Sequence, residues 1–444
     1  MSGPRHLVSI DDLSLTEIQG LFEQARRFSE NLHASAETCR GLISASIFYE
    51  PSTRTRLSFE SAMLRLGGGI VTAADMGVSS AAKGESLADT VRIISAYADA
   101  IVLRHPSEGA ARLAASYSEV PVINAGDGSH EHPTQTLCDL YTLWIEKGQL
   151  EGLDVVLSGD LRYSRTIHSF VYALARFGAN LVCVPHQGLE LPQYVVKRLR
   201  EEYGAEPQAA DASSLGDLAR ASDAMYITPT KPHQLSLYTE ASRGARRVEH
   251  VDAVYMTRPQ TERFADDDSA SDYVHLDTTS MSGEALAEAV VMHPLPRRDE
   301  ISPEFDRDPR SIYFKQAARG VPIRMAILSM LLGRTEIESP TVHREVLYPV
   351  WWGTNPCPNL GCVSHTEVRQ AAPVFRVVSR FPLRAMCGYC SRELSVGLVG
   401  RRGTKELYEP GSTEARRIEP GDLLLFRDAE EARVLGLGGS APAG

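Results

Sequence analysis

Short apolar runs alternate with amphipathic stretches through the first three quarters of the chain, and this alternation restricts the possible folds more than any other feature. An amphipathic helix is expected near Asp12 to Ser29, a strand over Leu42 to Tyr49, a helix from about Thr53 and a short strand over Ile101 to Arg104. Strands separated by helical crossovers run parallel, and the helices then cover the sheet on both faces. A second unit of the same kind opens where Leu153 to Leu157 meets Ser158-Gly159-Asp160 and another helical pattern. Two such domains in series leave a cleft between them, a common meeting place for two substrates. From Ile301 to Leu332 the pattern is helical again, and this segment is expected to return to the first domain.

The length of 444 residues accommodates two to four domains. No apolar run approaches the ~20 residues of a membrane span, and the opening MSGPRHLVSI lacks a signal-like apolar core, so a cytoplasmic protein without membrane partners is expected. A net charge of -11 argues against sequence-independent attraction to nucleic acid. Cys39, Cys138 and Cys183 stand alone and read as core residues. The other four cysteines are spaced Cys357-x4-Cys362, then 24 residues, then Cys387-x2-Cys390. Two close thiol pairs suit a tetrahedral structural zinc, and four cysteines would close the shell against catalytic water. The fold class is therefore α/β: two parallel-sheet α/β domains with helices on both faces, plus a small C-terminal β-rich, zinc-ribbon-like module.

Chemistry is concentrated in Phe48-Tyr49-Glu50-Pro51-Ser52-Thr53-Arg54-Thr55-Arg56, which ends a strand, turns at Pro51 and opens a helix. A helix start with free backbone N–H groups, hydroxyls and a guanidinium makes a phosphate site. Taken alone, Ser or Thr before a helix is more often a simple N-cap. Further along stand Arg104-His105-Pro106, His132-Pro133-Thr134-Gln135, Gly159-Asp160-Leu161 with Arg165, Arg258-Pro259-Gln260 and His293-Pro294-Leu295-Pro296. This ordered series resembles the aspartate and ornithine carbamoyltransferases.

The resemblance implies a division into a carbamoyl phosphate-binding domain (1–145), an aspartate-binding domain (146–300), helices returning to the first domain (301–336), a linker (337–354) and a zinc module (355–444). It implies that Ser52, Thr53, Arg54 and Thr55 hold the phosphate of carbamoyl phosphate, while Thr55, Arg104, His132 and Gln135 face its carbamoyl group. Attack by an amine on that carbonyl develops an oxyanion, which fixed donors stabilise. On the amino-acid side, Arg165, Arg258 and Gln260 would take the carboxylates of L-aspartate, since arginine binds carboxylate bidentately. His-Pro-Leu-Pro lacks the cysteine typical of the ornithine enzymes, and Leu295 and Pro296 resemble the loop whose carbonyl orients the incoming amine.

By the same resemblance Ser79 and Lys83, in the small-residue stretch Val78 to Ser86, would reach the active site of an adjacent subunit, which implies a homotrimer or a multiple of trimers. The words around the four cysteines resemble the zinc domain of the aspartate carbamoyltransferase regulatory chain, without room for that chain's nucleotide-binding domain. The implied activity is carbamoyl transfer to L-aspartate in pyrimidine biosynthesis, with no cofactor for catalysis. The alternatives are transfer to another acidic amine and an inactive homologue serving assembly. One feature stands outside the pattern: Asp223 to Thr228 echoes Asp252 to Thr257. A local duplication or insertion of about one strand and helix is the simplest reading, and it leaves Pro229-Thr230-Lys231 as a competitor to Arg258 at the site.

Overall fold

The computed structural model describes residues 4–32, 35–73, 84–163, 165–211, 222–228, 252–258, 276–282, 286–338, 351–352, 357, 359–371, 374–380, 383–394, 396–434 and 436–437. Helix α1 (Leu15–Glu30) starts later than Asp12 because Ser14 and Glu17 form a capping box, while Asp12 closes a separate 3-10 turn over Ile10–Asp12. Its buried residues Ile18, Leu21, Phe22, Ala25 and Phe28 repeat at helical spacing.

Strands β1 (Ile43–Phe48), β2 (Gly69–Ala73), β3 (Ala100–His105) and β4 (Val122–Asp127) form a parallel sheet in the order β2-β1-β3-β4. Helices α2 (Thr53–Arg65), α3 (Leu87–Ser95), α4 (Ala110–Tyr117) and α5 (Pro133–Lys147) connect and flank these strands. Strand side chains alternate between two cores, as a sheet covered on both faces requires. Phe48, Val102, Ile123 and Ala125 join the cluster that contains α1, α2 and α5, whereas Ala45, Ile47, Ile101, Leu103 and Val122 join the one that contains α3 and α4.

The second sheet has six parallel strands in the order β10-β9-β8-β5-β6-β7. They are β5 (Asp154–Gly159), β6 (Asn180–Pro185), β7 (Gln208–Ala209), β8 (Ala224–Thr228), β9 (Ala253–Met256) and β10 (Val290–Met292), with α6 (Arg165–Arg176) and α7 (Gln193–Tyr203) between them. The echoed segments are thus neighbouring strands, paired in the register Ala224↔Ala253, Met225↔Val254, Tyr226↔Tyr255 and Ile227↔Met256. Matching sequences meet matching environments: Tyr226 and Tyr255 share one core, while Met225, Ile227, Val254 and Met256 share the opposite one. Helix α8 (Tyr313–Leu331) returns, as expected, to pack on α1, α2 and α5.

The C-terminal part contains an antiparallel sheet of β12 (Phe375–Arg380), β13 (Leu383–Cys387) and β14 (Glu393–Leu394). A second sheet, in the order β11-β17-β15-β16, joins Trp351–Trp352 (β11), Leu398–Arg401 (β15), Leu407–Tyr408 (β16) and Leu423–Phe426 (β17). Trp351 and Trp352, read from sequence as connector, therefore belong to a strand. Gly403 lies in the β15–β16 hairpin turn; α9 (Thr413–Arg416) follows β16, and Pro420-Gly421 opens a 3-10 turn that leads into β17. A short helix α10 (Ala429–Val434) follows; the final GGSAPAG lies outside the described residues.

The module is not separate from the catalytic body. Glu108 and Cys362 form a β-bridge, with Glu108 N donating to Gly361 O at 2.8 Å and Val363 N donating to Glu108 O at 2.9 Å. On the other side, Lys197 of α7 pairs with Glu393 at 2.7 Å, and Arg392 lies 4.3 Å above the Tyr194 ring.

Candidate active site

Every strand that feeds the cleft does so from its carboxyl end, where ligands bind in parallel α/β sheets. In the first sheet the chain turns in opposite directions on leaving β1 and β3, and those two strands deliver Ser52 to Thr55 and Arg104. Ser52 is the N-cap of α2, yet its side chain makes no capping bond. The N-cap reading of that serine therefore loses its support, and the helix start presents hydroxyls and backbone N–H groups together. Thr55 is buried, and burial lowers the pKa of the Arg54 guanidinium.

Arg104 is buried, its Nε 3.4 Å from Glu50 Oε2 and its Nη1 donating to Ala125 O at 3.3 Å. His132 ends the β4 connection as the N-cap of α5, with Pro133 at the first helical position. Its backbone N donates to Ser169 Oγ at 3.3 Å, and its Nδ1 lies 3.4 Å from Thr134 Oγ1. Gln135 sits one turn into α5 and donates through Nε2 to Asp139 at 2.8 Å.

The opposite wall follows β9 and β10. Arg258 leaves the end of β9, and the loop after β10 carries His293 to Pro296. His293 is fully enclosed: its Nε2 lies 2.7 Å from Glu300 Oε1, and its Nδ1 accepts from Leu295 N at 2.8 Å. Burial lowers its pKa against the pull of Glu300, which favours the neutral ring needed for that acceptance. Leu295 stands at φ 53, a left-handed conformation uncommon for a branched residue, and its carbonyl accepts from Arg54 Nη2 at 2.7 Å. That bond joins the start of α2 in one domain to the loop of the other.

Ser52, Thr53, Arg54, Thr55, Arg104, His132, Gln135, Arg258, Leu295 and Pro296 all line one cleft of about 860 Å³. Arg165 begins α6, beside the cleft-lining Thr166. Ser79, Lys83 and Gln260 lie outside the described residues, as do Pro229, Thr230 and Lys231. Sequence reasoning missed Thr166, Thr257, Arg298, Gln316 and Arg324, and placed Cys138 only in the core although it also lines the cleft. A signal was present for two of them. Gln316, Gly320 and Arg324 recur every fourth residue along an otherwise apolar helix, and Gly320 lacks the Cβ that would collide with the Arg324 guanidinium. Arg54, Arg104, Arg258, Arg298 and Arg324 make this cleft strongly cationic within an acidic protein, a field that draws anionic ligands.

The four late cysteines form a second site. Their Sγ atoms lie within 4.8 Å of one another, all four residues are buried, and the pairs Cys357–Cys390 and Cys362–Cys387 stand 3.6 and 3.8 Å apart. A tetrahedral ion at a metal–sulfur distance of ~2.3 Å requires sulfurs about 3.8 Å apart, so the thiols fit a zinc-sized ion.

Two domains joined by a cationic cleft, with a helix start aimed into it, define the class. Residues 5–145 match the family model for the carbamoyl-P binding domain of aspartate/ornithine carbamoyltransferase, and residues 151–331 match its Asp/Orn binding domain. Residues 353–397 match the metal binding domain of the aspartate carbamoyltransferase regulatory chain. The aspartate carbamoyltransferase catalytic subunit of Thermoplasma acidophilum is 43% identical over 333 residues, covering 74% of this chain and 98% of that protein. That of Methanocaldococcus jannaschii is 43% identical over 340 residues, covering 75% and 100%. The solved structure of the M. jannaschii catalytic subunit superposes with a TM-score of 0.61 at 43% identity, over 75% of this chain and 100% of that one. The Trypanosoma cruzi aspartate transcarbamoylase in complex with N-(phosphonacetyl)-L-aspartic acid gives 0.60 at 33% identity, over 74% and 95%. The chain belongs to the aspartate carbamoyltransferase family, and carries a regulatory-chain-type metal binding domain on the same polypeptide.

Proposed function

We propose that the cleft joins carbamoyl phosphate to L-aspartate, giving N-carbamoyl-L-aspartate and phosphate, an early step of pyrimidine biosynthesis. The observation that carries this reading is the convergence of Ser52 to Thr55, Arg104, His132 and Gln135 with Arg258 and the Leu295–Pro296 loop around a single cleft. The phosphate sits at the α2 start on Ser52, Thr53, Arg54 and Thr55. Thr55, Arg104 and His132 aim donors at the carbonyl oxygen, where negative charge grows as the N–C bond forms and is discharged as the C–O bond to phosphate breaks, the amine's proton leaving with the phosphate. Gln135 and the Leu295 and Pro296 backbone orient the carbamoyl nitrogen and the amine. Arg165, Arg258 and Gln260 hold the two carboxylates. No covalent intermediate is needed, so positioning supplies most of the acceleration.

Ser79 and Lys83 complete the site from a neighbouring copy in a homotrimer. Supporting this, the edge strand β2 ends at Ala73, just before that stretch, and Leu57 and Leu64 of the adjacent α2 face are 50% and 55% exposed beside a concavity of about 510 Å³. The four cysteines hold zinc with its coordination closed, a structural role, and their reduced state fits the cytoplasm.

The direct test is steady-state formation of carbamoyl aspartate, with ornithine as the competing acceptor; no product, or preference for ornithine, would overturn the reading. Mixing inactive Lys83→Ala and His132→Ala proteins after mild dissociation is expected to restore part of the activity, which separate sites could not do.

A further inference from the structure

The echoed strands and a buried carboxylate meet at one point. Asp139, one turn beyond Gln135 on α5, is 2% exposed and accepts three hydrogen bonds. Gln135 Nε2 and Gln316 Nε2 donate to its Oδ1 at 2.8 and 2.7 Å, and Tyr255 OH donates to its Oδ2 at 2.9 Å. Each donor belongs to a different part of the cleft. Gln135 faces the carbamoyl end, and Tyr255 lies on β9 three residues before Arg258. Gln316 accepts through Oε1 from His293 N at 2.8 Å, at the root of the Leu295 loop. The Tyr255 ring stacks on Tyr226 at 4.6 Å and 10°, and the Tyr226 and Thr166 hydroxyls lie 2.7 Å apart beside Arg165.

With two amide N–H groups on it, Oδ1 only accepts, whether the carboxyl is ionised or carries its proton on Oδ2, whereas a glutamine amide has one accepting end and one donating end. Asp139 therefore fixes both glutamines the same way round. Their NH2 groups turn inward to the carboxylate, and their carbonyl oxygens turn outward. The outward oxygen of Gln316 receives His293 N–H. That of Gln135 is left to accept from the NH2 of a carbamoyl group, which has N–H to give and needs an acceptor there. Tyr255 holds β9 to the same carboxylate and so sets the distance between the carbamoyl end and Arg258.

We propose that Asp139 is a positioning residue that selects the amide orientation of Gln135 and registers it against the strand bearing Arg258, coupling the two ends of the cleft. The proposal rests on the carbamoyl-transfer reading above. Its test uses the full-length, zinc-loaded protein with separate KM values for carbamoyl phosphate and aspartate. Asp139→Leu, similar in size but without acceptors, is expected to raise the carbamoyl phosphate KM about tenfold and to lower kcat, the scale of one lost hydrogen bond. Asp139→Asn keeps an acceptor toward both glutamines and can donate to the Tyr255 oxygen, so it should recover most of both parameters. Tyr255→Phe removes one atom remote from substrate and is expected to raise the aspartate KM several-fold with the carbamoyl phosphate KM unchanged.

Wild-type KM values in Tyr255→Phe and in Asp139→Leu, with only a lowered Tm, would overturn the proposal; so would an Asp139→Asn protein as impaired as the leucine variant. If Asp139→Leu does not fold, Tyr255→Phe and Asp139→Asn decide it by the same criteria. An inactive wild-type enzyme would instead overturn the functional reading, and this proposal with it.

Discussion

At Gly126 the backbone takes φ +114, and a Cβ there would stand 3.3 Å from both Arg104 Nη1 and His132 Cδ2. Only glycine accepts this conformation readily and leaves room for these two side chains, which the proposed reaction aims at the carbonyl oxygen. Gly126→Ala is therefore expected to cost about 1–3 kcal/mol in stability and to lower kcat at least tenfold, the scale expected when catalytic donors shift. Chemical denaturation and steady-state kinetics check the two parts; wild-type kcat would refute the argument. Asp139 offers a prediction in pH. Burial pushes its carboxyl up to about 7, opposed by the bonds from Gln316, Tyr255 and Gln135. Because the folded value lies above the ordinary 3.8, its stabilising contribution is full below about pH 4 and is lost as pH rises through 7. The groups facing it do not titrate in that window: burial lowers the Arg324 guanidinium, which as an arginine is still charged there, Cys138 is pushed up to about 12 and Tyr255 lies well above its ordinary value. Asp139→Asn should thus flatten the fall in Tm between pH 4 and 8 and melt a few degrees above wild type at pH 8. An unchanged slope would sink this assignment.

Among elements, legibility followed periodicity. The strands β1, β3 and β5 and the helices α1 and α8 were readable because apolar residues repeat with period two or 3.6 where one or both faces are buried. The strand, turn and helix start from Ile43 to Arg65 were readable because they are contiguous in sequence. Gln316 and Arg324 escaped because they enter the cleft only through the long-range return of α8. The docking of the metal module on α4 escaped for the same reason, since Glu108 and Cys362 meet across 253 intervening residues. That docking has a tight point. Gly109, the N-cap of α4 at φ +84, would carry a Cβ 2.5 Å from the backbone carbon of Tyr389. A backbone atom cannot swing aside as a side chain can. Gly109→Ala is expected to force the Cys387–Cys390 turn off α4 and lower stability by more than the ~1 kcal/mol of left-handed strain alone. A Tm within about 1 °C of wild type would mean that the module is not seated on α4 in solution.

At the scale of the whole molecule, the metal module spans both α/β domains. On the first, its apolar residues Val363, Ala371 and Phe375 share a core with Ala110, Leu113 and Val91, Tyr117 OH donates to Gln370 O at 2.8 Å, and Leu87 N donates to Glu367 Oε1 at 2.9 Å. On the second, α7 offers Lys197 to Glu393, while Arg384 and Arg376 of the module pair with Glu201 and Glu202. The exposed ion pairs add little individually, but the shared core does not survive if the module unfolds. The four buried thiols lie within 4.8 Å of one another, and the free energy of a metal ion bound to them adds to the folding free energy of the body on which the module is seated. Chelation at neutral pH is accordingly expected to lower the melting temperature of the catalytic domains themselves, by about 5 °C or more, rather than to remove an independent transition. The loss should extend to activity, because Leu87 begins the helix that follows the stretch bearing Ser79 and Lys83, and Glu367 of the module holds its first backbone N–H. Differential scanning calorimetry with metal analysis, repeated after zinc is restored, gives the measurement. A catalytic transition and kcat that stay put after complete, reversible metal removal would show that the module rides on the enzyme without bracing it.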